Sequence, residues 1–101
     1  MKYLLLFLFS TSIFAETFNV EIVNMKFNPS LIKAKTGDKV IFTNKMSMLH
    51  NIVSPESKIR SPFLKKDEKF TINITKKDKI MYFCEPHKAM GMKGIIEVKK
   101  W

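Results

Sequence analysis

KIMYFCEPHKAMGMKGIIEV, residues 79–98, runs from one strand-like segment into another through a loop crowded with soft donor atoms. The apolar and aromatic run from Ile80 to Phe83 and the β-branched run after Gly94 predict two strands joined by a loop that begins at Cys84. That loop holds the chain's single cysteine, one of its two histidines (His87) and two of its seven methionines (Met90 and Met92). Free Cys and Met are common core residues and a lone His is ordinarily only hydrogen-bonded, so each alone says little. Their crowding into nine positions is the informative feature.

Working outward, the period of two recurs. In TFNVEIVN (17–24) Phe18, Val20 and Ile22 alternate with polar residues, and in KFTINIT (69–75) Phe70, Ile72 and Ile74 do the same. VIFTN (40–44) is β-branched and aromatic, reached through a turn at Gly37-Asp38, while Pro29 confines the segment before it to a sheet edge. Lysines dominate the outward positions. PESKIRSPFLKKD (55–67), with two prolines, reads as a loop. No segment carries a long capped 3.6-residue apolar period, and there is no repeat, linker or low-complexity tract. Six to eight short strands at intervals of about 8 to 12 residues predict an all-β sandwich.

The N-terminus, MKYLLLFLFSTSIFAETF, places Lys2 before an apolar run from Tyr3 to Phe9 and small residues up to Ala15. The run is too short for the about 20 residues of a membrane span, and it predicts a secretory signal peptide over residues 1–15. The remaining domain, 16–101, is small enough to gain from a structural staple. One cysteine allows no internal disulfide in an exported protein, so metal ligation is a use that would also protect the thiol. The whole chain carries a net charge of +9, and without Lys2 it has 17 basic against 9 acidic residues. That balance favours acidic partners, and export excludes nucleic acid as the target.

The second histidine, His50, opens another strand-like run in MLHNIV. A thiolate, two imidazoles and a thioether form the soft donor set that suits copper, with two His and one Cys in a plane and a weak axial Met. Zinc rarely takes a thioether, and no second Cys is present to complete a tetrahedral site. Non-haem iron wants a carboxylate beside two histidines, and Glu85 would point away from Cys84 in an extended chain. Nucleophilic catalysis by Cys84 lacks a helix N-terminus or an evident oxyanion hole. Met46 and Met48 alternate with His50, which in an extended segment would put all three on one side.

MKFNPSLIKAKTGDKVIFTN (25–44), HNIV (50–53) and CEPHKAMGMKGIIEV (84–98) together resemble the cupredoxins, in particular the small plastocyanin, pseudoazurin and amicyanin type. The joint pattern of C-x2-H-x4-M with an upstream H-N-I-V is specific, and the likeness covers nearly all of residues 16–101. It implies a Greek-key β-sandwich holding one copper ion, with His50, Cys84 and His87 as equatorial ligands and Met92 on the axis. Met90, at the shorter C-x2-H-x2-M spacing, is the rival for the axial place. The resemblance also implies that Asn51 ties the two ligand loops together. In the same way it makes His87 the exposed edge for electrons, ringed by Met48, Leu49, Met90 and Pro55, with Lys45, Lys88 and Lys93 nearby. The expected protein is a periplasmic, monomeric blue copper carrier, not an enzyme and not membrane-inserted once the leader is cut. It would shuttle single electrons to or from an acidic redox protein such as a c-type cytochrome or a periplasmic reductase. The alternative is a periplasmic protein that stores Cu(I) or passes it on.

Overall fold

The computed structural model describes residues 15–76 and 78–99. Of the expected leader, residues 1–15, all but Ala15 lie outside the described residues. Among the described residues there are nine strands: β1 (Thr17–Val23), β2 (Lys26–Asn28), β3 (Leu31–Ala34), β4 (Lys39–Asn44), β5 (Val53–Ser54), β6 (Ile59–Arg60), β7 (Lys69–Asn73), β8 (Ile80–Phe83) and β9 (Lys93–Val98). They form one sheet in the order β2-β1-β4-β7 and a second in the order β3-β9-β8-β5-β6. The all-β sandwich expected from the alternating segments is the architecture observed.

The alternation decides which faces meet. Val20 and Ile22 of β1 are buried and Phe18 half-buried, and β1 lies parallel to β4 with Val20 opposite Phe42. β4 pairs antiparallel with β7, setting Val40 opposite Ile72. In the other sheet β9 lies between β3, parallel to it, and β8, antiparallel. The two inner faces close on Phe27, Phe42 and Tyr82, whose rings stand edge to face at 4.9 to 5.9 Å between centroids. Gly94, opposite Tyr82 in the β8–β9 ladder, has no room for a side chain, because a Cβ there would overlap the Tyr82 ring. The Tyr82 hydroxyl is buried without a hydrogen-bond partner among the described residues.

The count of nine exceeds the six to eight expected because three strands are only two or three residues long. β1 and β2 are joined by a two-residue turn in which Asn24 (φ 50°) and Met25 (φ 60°) both have positive φ, the type I′ geometry. That turn lacks the Asn-Gly signal, so the hairpin is not visible in the sequence. β6 lies within the segment 55–67 expected to be a loop. Its two residues pair with β5 as Val53 with Arg60 and Ser54 with Ile59. The Gly37-Asp38 turn is present as expected, with Gly37 at φ 100°. Asp38 is buried there, accepting the backbone N–H groups of Glu16 (2.8 Å) and Lys35 (2.9 Å) and the Lys35 ammonium (3.0 Å).

These pairings set the site's location. Phe83, the last residue of β8, lies opposite both Val53 at the start of β5 and Lys93 at the start of β9. The loop 84–92 and the segment leading into β5 therefore emerge at the same end of the sandwich.

Candidate metal centre

His50 is fixed by an isolated bridge to Leu64, whose N–H donates to the His50 carbonyl at 2.7 Å. The fully buried side chain of Asn44 shapes the loop before it. Its amide donates to the carbonyls of Met48 (2.9 Å) and Leu64 (2.8 Å), and its oxygen accepts the Met46 N–H (2.9 Å). This local bonding competes with a strand ladder and bends residues 46–48. Met46, Met48 and His50 therefore do not lie along one extended face: the Met46 sulfur accepts the Met25 N–H at 3.4 Å, and Met48 is exposed.

Cys84 directly follows β8, and residues Glu85–Met90 form a short 3₁₀ segment with Pro86 in its first turn, where a missing N–H costs nothing. Gly91 then adopts φ 79° and reverses the chain, a conformation glycine takes freely. The reversal separates the two methionines. Met92 is 1% exposed, within the core cluster that includes Cys84, and its carbonyl accepts the Cys84 N–H at 3.1 Å while its own N–H donates to His87 at 3.4 Å. Met90 is 67% exposed.

His50 and Cys84 are buried and His87 half-buried, and one donor atom from each lies within 4.8 Å of the others. The Cys84 sulfur is 3.5 Å from His50 Nδ1 and 3.4 Å from His87 Nδ1, with the two rings 4.8 Å apart at 51°. Metal–nitrogen and metal–sulfur bonds of about 2.0 and 2.3 Å would span those separations at angles of about 105–110°. Each imidazole thus stands at a distance from the sulfur that a shared first-row ion would bridge, and the donor chemistry, one soft sulfur and two imidazoles, fits copper. Burial pushes the Cys84 thiol pKa up, against the backbone N–H groups of Asn51 and His87 that face it, and the Glu85 charge raises it further. Burial, then the neighbouring His87, lowers the His50 pKa. Both shifts favour the uncharged forms, and a metal that takes the Cys84 sulfur as thiolate must displace its proton.

Asn51 and Glu85 bond reciprocally. The Glu85 N–H donates to Asn51 Oδ1 at 3.0 Å, and Asn51 Nδ2 donates to Glu85 Oε1 at 2.9 Å. Arg60 donates to the same carboxylate oxygen. Arg60, then Asn51, hold the Glu85 carboxyl below its ordinary pKa. Glu85 stays out of the donor cluster, as expected, but Arg60 and the buried Asn44 gave no sequence signal, since only the fold brings them to the site. Met48, Leu49, Phe63 and Met90 are large exposed apolar residues. Of these Phe63 was not anticipated, and it precedes Leu64, the bridge partner of His50. Of the lysines named beforehand, Lys45 pairs with Asp67 at 3.7 Å and Lys88 lies 4.5 Å over the Phe83 ring. Among the described residues no helix is long and apolar enough to cross a membrane.

The family model for copper binding proteins, plastocyanin/azurin family, matches residues 15–99. Amicyanin of Paracoccus denitrificans is 30% identical over 83 residues, which cover 77% of this chain and 63% of that protein, slightly under two thirds. Plastocyanin A/B of Petroselinum crispum is 34% identical over 83 residues, covering 71% of this chain and 86% of the other. Among solved structures, the Cu(I) form of an amicyanin with a methionine replaced by glutamine aligns at a TM-score of 0.76, with 26% identity over 82% of each chain.

Proposed function

The chain belongs to the plastocyanin/azurin family of copper-binding proteins, and on that premise we propose that it is a blue copper protein passing single electrons between redox partners. Its cofactor is one copper ion. In this reading His50, Cys84, His87 and Met92 would hold the ion. The observation that carries it is the convergence of three donors from two loops, with Met92 buried beside Cys84 and Met90 in solvent.

Bound there, copper supplies a one-electron couple, Cu(I)/Cu(II), on a soft donor set. The residues do the rest. Four protein ligands leave no open position for a substrate, which favours a carrier over an enzyme. The burial of His50 and Cys84 and the backbone bonds around them would hold the donors in place whichever charge the metal carries. Pro86 has no N–H to offer the Cys84 sulfur, leaving the thiolate more electron density for the metal. His87 is the half-exposed ligand, and exposed Met48, Leu49, Phe63 and Met90 supply the apolar surface that weak, brief docking uses. The lysine excess would steer an acidic partner of the c-type cytochrome or reductase kind. The leader-like N-terminus supports a periplasmic site of action, and we take the working form to be a monomer.

Adding Cu(II) to the metal-free protein tests the reading. The expected result is an intense blue colour from sulfur-to-copper charge transfer and a reversible one-electron voltammogram. A colourless complex that readily gives up Cu(I) to a chelator would overturn it in favour of copper trafficking, a role the exposed thioethers of Met48 and Met90 would suit.

A further inference from the structure

We propose that Arg60 and Glu85 are positioning residues of the metal centre: their ion pair, closed on Asn51, clasps the two ligand-bearing segments together and tunes the site. The inference rests on the copper reading above. Asn51 follows His50 and Glu85 follows Cys84, so the reciprocal bonds of 3.0 and 2.9 Å join the two ligand segments one residue from a donor on each side. Any slip between Asn51 and Glu85 is passed to the His50–Cys84 separation. Asn51 is buried, and its amide orientation is fixed because Oδ1 faces an N–H and Nδ2 faces a carboxylate.

Arg60 adds a third segment. It sits on β6, opposite Val53, and the chain after it stays beside residues 50–54: the Ser61 N–H donates to Ile52 at 2.8 Å, Ser61 Oγ accepts the Ile52 N–H at 2.8 Å, and Leu64 bridges to His50. Through Glu85 Oε1, shared by Arg60 and Asn51, the guanidinium links this hairpin to the residue after the thiolate. An exposed ion pair does little for global stability. Here its effect is local, because the shared oxygen also holds Asn51. The two charges act on the metal with opposite sign. A carboxylate left alone beside Cys84 favours the more positive metal state, and a guanidinium left alone disfavours it.

The test compares wild type with Arg60→Met, Arg60→Lys, Glu85→Gln and the Arg60→Met/Glu85→Gln double variant. Glu85→Gln is isosteric and keeps an acceptor for Asn51, so it should fold. Wild type is first loaded with Cu(II): if it stays colourless the copper reading itself fails, and the clasp is then judged on the metal-free protein alone. In that metal-free protein, the Glu85 amide should exchange about threefold or more faster with solvent in Arg60→Met than in wild type, with Arg60→Lys restoring protection. In the loaded protein, both single variants should release copper to a chelator about threefold or more faster, and the double variant no faster than either. The reduction potential should fall in Arg60→Met and rise in Glu85→Gln. Unchanged amide exchange, potentials that stay put or move together, or release rates that multiply in the double variant would each overturn the clasp.

Discussion

Met90 and Met92 are two residues apart, yet one lies in solvent and the other in the core, because Gly91 between them takes a left-handed conformation. The expected consequence is a clean split on substitution. Met92→Leu should change the copper spectrum, whereas Met90→Leu should leave it unaltered and shift stability by no more than about 0.5 kcal/mol. A spectrum altered only by Met90→Leu would reverse the assignment. Tyr82 offers a second residue-level test. Its hydroxyl is buried with no partner among the described residues, so Tyr82→Phe removes a desolvation cost and should be neutral or stabilising by about 1 kcal/mol in urea denaturation. Gly94→Ala should instead cost about 2–3 kcal/mol, since its methyl would overlap the Tyr82 ring. His50, Cys84 and His87, which the fold brings together, could be put forward as candidate donors from residue type and spacing, because coordination chemistry restricts which side chains can share a metal, whereas the choice between Met90 and Met92 stayed open. Asn44, Arg60 and Phe63 could not, because nothing in their own sequence neighbourhood distinguishes them from surface or turn residues.

Among the elements, the turn between β3 and β4 is held by a buried charge. Burial raises the Asp38 pKa, but the N–H groups of Glu16 and Lys35 and the Lys35 side chain outweigh it, leaving the carboxyl below its ordinary 3.8. A lowered folded-state value means stability that is present above the ordinary pKa and lost as pH falls through the folded one. Asp38→Asn should therefore cost about 2 kcal/mol at pH 7, with the gap to wild type closing as the pH falls well below the carboxylate range. Denaturation of the metal-free protein at both extremes checks the sign, and an undiminished gap in acid would refute it. The β1–β2 turn carries strain of another kind. Met25 at φ 60° stands where glycine is at ease, so Met25→Gly should stabilise the fold by about 1 kcal/mol, read as a higher denaturation midpoint. Both this hairpin and β6 escaped the sequence, since a strand of two or three residues has too few positions to show alternation and forms only where a neighbour supplies the ladder.

For the molecule as a whole, the lysine excess matters more to encounter than to folding. A net charge of +9 should make electron exchange with an acidic partner slow markedly as ionic strength rises, since screening shortens the reach of the field to about 8 Å at 0.15 M salt. Rates measured by stopped flow that stay flat with salt would remove the steering argument. The sequence by itself determined the all-β sandwich and put forward the candidate donors, because strand periodicity and metal-ligand chemistry are local properties of residue type and spacing. Only the tertiary structure decided which methionine is buried, how Met46 and Met48 turn away from His50, and that Glu85 and Arg60 are the bonding partners Asn51 meets between the ligand loops. Those outcomes depend on chain reversals and on contacts between segments distant in sequence, such as Arg60 with Glu85, which no local pattern encodes.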